Sequence, residues 1–323
     1  EDGSKNKIEI FYEFDRIVPW SENIHLDGHL FAILLHAMER GKNVRVHGTI
    51  SQMAMRNVEE LQSIWQMWRP KTYKKIEILP DRVDTSRIVK TQEKAIAAFS
   101  GGVDSIYTAM RHTRLLPENV RYPLSDALMI HGFDVDIDNI SGFKKLVSRV
   151  TPILTDLNIK LRTLRTNSRE LKLQNWDDSH GLELAACLHM YYDEFAFGLV
   201  GSSGPYYNFI LPWGSNAVTD RLISGNNLSI IHDGGGSFRT DKVNDIKNYP
   251  LACKLLRVCY EDTENSKNCG KCEKCVRTQL AFLAAGAKSI PECFPEGFNL
   301  QIIKDVKLYR DGNIKDLKKI LEY

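Results

Sequence analysis

The chain has 323 residues, of which 43% are hydrophobic and 26% charged, with a formal net charge of +2. That balance excludes a disordered or fibrous chain, and the length suits one large domain or two ordinary ones. No long single-sign charge block occurs, so charge does not indicate a nucleic-acid partner, and no apolar run or hydrophobic amino-terminal core indicates a membrane one. A cytoplasmic protein is expected.

In chain order, Ile8 to Tyr12 alternates as a strand, Leu30 to Met38 has helical spacing, and Val44 to His47 alternates again. Met53 to Trp68 reads as a longer amphipathic helix, and Tyr73 to Leu79 closes the series as a strand. This β-α-β-α-β order predicts a small α/β domain over residues 1–90. Leu61, Ile64, Trp65 and Trp68 share one helix face, which predicts core packing or docking onto the next domain. His25, His29 and His36 lie on or beside one predicted helix without a cysteine or carboxylate pattern, and are read as structural or surface residues. Pro80-Asp81-Arg82 opens a polar connector that marks the expected domain boundary.

Residues 91–323 open with an apolar strand, Ala95 to Phe99, then Ser100-Gly101-Gly102-Val103-Asp104-Ser105, then a helical segment, Ile106 to His112. Adjacent glycines let a backbone turn sharply and approach an anion, and the N–H groups that open the following helix favour negative charge. Ser100 and Ser105 can donate to phosphate oxygens, while Asp104 can cap the helix or hold magnesium. Further strands are predicted at Asp126 to His131, Ile159 to Leu164, Ala196 to Val200 and Leu228 to His232. Helical segments between them include Ile140 to Val150, with Pro152 expected to kink or restart the helix, and Gly181 to Phe195. The alternation implies an α/β fold with a doubly wound parallel sheet, whose ligands bind beyond the carboxyl ends of the strands. Ser100, His131, Thr166, Ser202 and His232 would all face that edge.

Two readings stand for His131: with Gly132 it lines a nucleotide pocket, or it ends a buried strand and bonds a backbone carbonyl. His180, placed before a helix start at Gly181, either positions or deprotonates a substrate or caps the helix. Tyr206 to Phe209 and Pro212 to Ser215 form an irregular aromatic stretch on which a planar substrate, or the chain's own core, could stack.

Seven cysteines are present. Cys187, Cys253 and Cys293 read as buried or incidental thiols. Cys259, Cys269, Cys272 and Cys275 are spaced so that short turns bring thiolates onto one ion, and four thiolates close a tetrahedral zinc site that is structural rather than catalytic. An iron–sulfur cluster competes for the same ligands.

The hexapeptide Ser100 to Ser105 resembles the Ser-Gly-Gly-x-Asp-Ser signature of the PP-loop (N-type) ATP pyrophosphatases. Together with the cysteine spacing, the chain over roughly residues 94–285 looks like the 7-cyano-7-deazaguanine synthase branch with an added amino-terminal domain. The resemblance implies a Rossmann-like PP-loop domain that binds ATP, Mg2+ and Zn2+. It also implies an AMP- and pyrophosphate-forming ligase: a substrate oxygen, expected to be a carboxylate, attacks the α-phosphate, and ammonia or another amine then displaces AMP. The loop Ser100, Gly101, Gly102, Val103, Asp104 and Ser105 would hold the pyrophosphate end of ATP, and Asp104 the magnesium. Lys242, in Thr240 to Ile246, matches the lysine of the branch's Ser-Lys-x-Glu-Ile helix start and would neutralise phosphate charge. The expected partner is a small molecule, with a planar heterocyclic carboxylate as a candidate. The Tyr206 to Ser215 region departs from the branch, so its deazaguanine substrate is not carried over. Rival expectations are an RNA-thiolating enzyme with an iron–sulfur cluster, and a nucleotide-binding subunit that docks a protein partner through residues 1–90.

Overall fold

A computed structural model describes residues 7–16, 24–88, 90, 92–208, 211–261, 267–294, 297–298, 300–306 and 311–322. The amino-terminal elements are β1 (Tyr12–Phe14), α1 (Asp27–Arg40), β2 (Val44–Ser51), α2 (Gln52–Trp68) and β3 (Ile78–Asp84). α1 buries Leu30, Phe31, Leu34, Leu35 and Met38, spaced three and four apart, and ends at Gly41, whose φ of 60° supplies a left-handed cap. α2 starts where Ser51 accepts a hydrogen bond from the Ala54 N–H at 3.2 Å.

The remaining elements are β4 (Ala95–Ala98), α3 (Val103–Met110), β5 (Leu124–His131), α4 (Ile140–Asp156), β6 (Lys160–Thr166), α5 (Trp176–His189), β7 (Phe197–Gly201), β8 (Ser229–Asp233), α6 (Arg239–Ile246), α7 (Pro250–Leu255), α8 (Glu273–Ala284), α9 (Leu300–Asp305) and α10 (Asp311–Glu322). Six strands form one sheet in the order β1-β6-β5-β4-β7-β8, parallel throughout except for β1 against β6. The fold is therefore α/β with a mostly parallel sheet. β4 sits where the order reverses, with β5 and β6 on one side and β7 and β8 on the other. Such a point leaves a crevice beyond the carboxyl end of the strand. Ala95, Ile96 and Ala97 are fully buried, as expected of a strand covered on both faces.

Two apolar cores cover the two faces. Val103, Leu146, Val243 and Phe282, from α3, α4, α6 and α8, belong to one. The other joins Leu34, Val58 and Trp65 of α1 and α2 to Leu182 and Leu188 of α5 and to Ile96, Leu128 and Ile230 of the sheet. Trp65 and Trp68 thus serve packing, edge to face at 5.1 Å.

Several expectations are corrected. The described part of residues 1–90 shares a core with the rest of the chain, and the first strand, shifted to Tyr12–Phe14, pairs antiparallel with β6 of the main sheet instead of joining a small sheet. β2 and β3 alone form the second, parallel sheet, and β3 runs through Pro80, Asp81 and Arg82, where a connector was expected. In a two-stranded sheet every strand has an open edge, so a residue lacking an N–H is tolerated there. α4 continues through Pro152 to Asp156. α5 begins five residues early, at Trp176, because Asn175 caps it by accepting the Asp177 N–H at 3.0 Å, and it ends at His189. No described helix is long and apolar enough to cross a membrane.

Candidate functional site

The loop between β4 and α3 is shaped by its glycines. Gly101 has φ 75°, and a Cβ there would lie 2.6 Å from a Val150 methyl. Gly102 is the N-cap of α3, with no side chain capping it. Ser105 Oγ accepts the Ser100 N–H at 3.3 Å and donates to the Gly102 carbonyl at 3.1 Å, which folds the loop back on itself. The Arg257 N–H donates to the Gly101 carbonyl at 2.9 Å and ties the loop to the segment that leads into Cys259.

Asp104, in the first turn of α3, meets two cations from α6. Lys242 Nζ lies 2.8 Å from Oδ1, and Arg239 Nη2 lies 3.3 Å from Oδ2. Lys242 also donates to the Ser202 carbonyl at the end of β7. Burial opposes the charge on Asp104, but Lys242 and Arg239 more than offset it and hold the carboxyl at about 2. Both oxygens of Asp104, the expected magnesium ligand, accept from these cations. Lys242 and Arg239, only 2% and 7% exposed, form with the loop a buried, net positive corner. Arg239 went unnoticed in the sequence, although it lies three residues before Lys242 on one helix and so shares its face.

A second anchor fixes the other end of α3. Asp233, at the end of β8, accepts from Thr108 Oγ1 at 2.9 Å and from Arg111 Nε and a His112 ring nitrogen at 3.1 Å each. Burial opposes ionisation there too, and His112 and Arg111 overcome it, so the carboxyl lies below its ordinary range. His232, the neighbouring residue, is held by Asp220 at 2.7 Å.

Two cavities meet beyond the strand ends. The smaller, about 260 Å3, has Ser100, Asp104 and Ser105 at one end and apolar walls that include Met129, Ile130 and Leu146. The larger is an open cleft of about 1600 Å3 bordered by acidic, basic and aromatic side chains, among them Arg169, Trp213, Tyr260 and Arg277. Phe133, Asp134, Trp176, His180 and Lys274 line both, and so mark the junction. His180 lies in the first turns of α5, not before its start, with Nδ1 3.1 Å from the Trp176 carbonyl and its ring edge-on to Trp213 at 4.9 Å. Trp213 of the aromatic stretch lines the cleft; Phe209 of that stretch lies outside the described residues.

His131 takes the structural one of its two readings. A ring nitrogen lies 2.9 Å from the Asp136 carbonyl, and the ring stacks on Phe143 at 4.4 Å. Burial pushes its pKa down. Gly132 borders the cleft, and its glycine identity has a plain cause: at φ 107° a Cβ would come 2.0 Å from the Thr166 carbonyl oxygen.

The sulfurs of Cys259, Cys269, Cys272 and Cys275 all lie within 4.8 Å of one another. Zn–S bonds of about 2.3 Å would set tetrahedral thiolates about 3.8 Å apart. The Cys259–Cys272 and Cys269–Cys275 separations are 3.9 and 4.0 Å. The Glu261 and Cys272 N–H groups donate to Cys259 and Cys269 sulfurs at 3.3 and 3.2 Å, a donor shell that suits thiolates. Asn268 Oδ1 accepts the N–H groups of Val258 and Cys259 at 2.8 and 3.2 Å and shapes the turn. The donor set fits one metal ion such as zinc. Cys272 is the N-cap of α8 and Cys275 lies in its first turn. Lys274, between them, is the junction cation that sequence reasoning missed; its place between two ligand cysteines was the available signal.

The chain matches no protein-family model, no curated protein and no solved structure.

Proposed function

We propose that the chain is an ATP-dependent ligase that adenylates a substrate oxygen, with a carboxylate as the expected group, and then passes the activated acyl group to ammonia or another amine. One observation carries this reading. Ser100, Asp104 and Ser105 of the glycine loop line a small cavity, with Lys242 and Arg239 held behind them on Asp104, and that cavity shares five lining residues with a cleft large enough for a second substrate. The apolar walls suit an adenine, and the loop N–H groups with Ser100, Ser105, Lys242 and Arg239 suit the pyrophosphate end of ATP. In this reading Asp104 orients Lys242 and Arg239, and those cations take up the charge that develops on the leaving pyrophosphate. Magnesium enters only as the counter-ion that ATP carries, and no step is assigned to it. His180 and Trp213 border the acceptor side, where a planar substrate could lie against the indole.

The sulfur spacing supports a single structural ion over an iron–sulfur cluster, whose irons would hold the four thiolates further apart. It therefore favours ligation over RNA thiolation. The test is to incubate the metal-loaded protein with ATP and a panel of carboxylates that includes 7-carboxy-7-deazaguanine. AMP and pyrophosphate should form in equal amounts and only with the right acid. Formation of ADP and phosphate instead would overturn the reading, because the chemistry would then be at the γ-phosphate.

A further inference from the structure

We propose that Lys274 is a catalytic residue of the adenylation step, contacting the α-phosphoryl group as the substrate oxygen attacks it, and that the metal centre exists in part to hold it there. This rests on the adenylation reading. If the pyrophosphate end of ATP lies on the Ser100 to Ser105 loop and the acceptor lies in the cleft, the attacked phosphorus must lie where the two cavities meet. Five side chains line that junction: Phe133 and Trp176 are apolar, Asp134 is anionic, His180 is engaged with the Trp176 carbonyl, and Lys274 carries the positive charge. Lysine offers a compact charge with three rotatable donors, which suits oxygens that move as a phosphoryl group inverts. Asp134 and Asp104 act on Lys274 electrostatically, and among the described residues no carboxylate pairs with its ammonium. By contrast, Lys242 and Arg239 are committed to Asp104 on the loop side.

The metal ligands fix its position. Cys272 and Cys275 bracket Lys274 in the first turn of α8, so four thiolates on one ion would set where that turn begins and which way its second residue projects. In the step itself an acceptor carboxylate oxygen forms a bond to the α-phosphorus. The bond from that phosphorus to the bridging oxygen breaks, and the electron pair leaves with pyrophosphate. Lys274 keeps its proton throughout and donates hydrogen bonds to the non-bridging α-oxygens, where charge concentrates.

The experiment is calorimetric titration of the zinc-loaded wild type, K274M and K274R with AMP, whose phosphate is the α-phosphate, and separately with magnesium pyrophosphate, each with its zinc content measured. K274M should weaken AMP binding at least tenfold, about 1.4 kcal/mol, leave pyrophosphate binding unchanged and retain zinc, while K274R should largely restore AMP binding. AMP affinity unchanged in K274M, or lost in parallel with that for pyrophosphate, would overturn the proposal. If K274M loses zinc, K274Q replaces it with the same two outcomes. A wild type that binds neither ligand would overturn the adenylation reading itself.

Discussion

Asp104 shows how much a single carboxylate organises. Two cations nearly excluded from solvent converge on it, and together they hold α3 against α6. Removing one member of a buried charge cluster leaves the others uncompensated, which typically costs more than the cluster contributes over an apolar replacement. Asp104→Asn should therefore lower stability by about 3 kcal/mol at neutral pH, read as a shift of the urea midpoint, and should also abolish pyrophosphate release. The pH dependence has a definite sign. The carboxyl titrates at about 2 in the folded chain against an ordinary 3.8. Its contribution is complete above that ordinary value and is lost as pH falls through the folded one. The gap between wild type and variant should accordingly close in strong acid, and a gap of constant size from pH 7 to pH 2 would refute this account.

At the scale of elements, the metal turn and α8 form one unit. α8 packs on α6, buries Val276 and sends Ala281 and Phe282 into the core that holds Val103 and Val243, so an unfolded turn would loosen apolar packing as well as the site. Chelation should release close to one zinc per chain and raise hydrogen exchange first in α8. It should also lower the melting temperature by about 10 °C or more, since several kcal/mol are lost at roughly 2–4 °C each in a chain of this size. Unchanged exchange in α8 after zinc is removed would contradict this.

The sequence carried these elements unevenly. The strands from β4 to β8 were legible because each is a short apolar run bounded by turn residues, and the cysteine turn was legible because its spacing constrains geometry directly. β3 was misplaced because Tyr73 to Leu79 alternates convincingly, whereas Pro80 reads as a break until an edge strand is seen to tolerate it. The start of α5 was missed because Trp176-Asp177-Asp178 reads as loop until Asn175 is recognised as its cap. Within the site, the loop and Lys242 could be read from motif. Arg239 and Lys274 were signalled only by their spacing, from Lys242 and between two cysteines, because their importance lies in what a folded neighbour presents to them.

The whole molecule behaves as one packed body around the sheet. α1 lies on α5, Arg69 and Tyr73 bond the buried Asp178 at 2.7 and 3.0 Å, and Asn226 and Asn227 reach back to residues 84–88. Such interlocking predicts a single calorimetric transition for the metal-loaded chain. It also predicts that a fragment of residues 91–323 will not fold, since Leu182, Leu188 and Ile230 would lose their cover. Two resolved transitions, or a soluble fragment with native near-ultraviolet dichroism, would show that the core divides after all.

The antiparallel pairing of Tyr12 with Thr166 sets a timetable for synthesis. A ribosome adding about 5–20 residues per second needs on the order of 8–30 s to make the intervening chain. Through that interval the first strand has no partner, and α1 waits about as long for α5. The nascent chain must carry the side of α1 that α5 covers exposed until α5 is made, so its exposure to chaperones and to aggregation is written into the order of the elements itself.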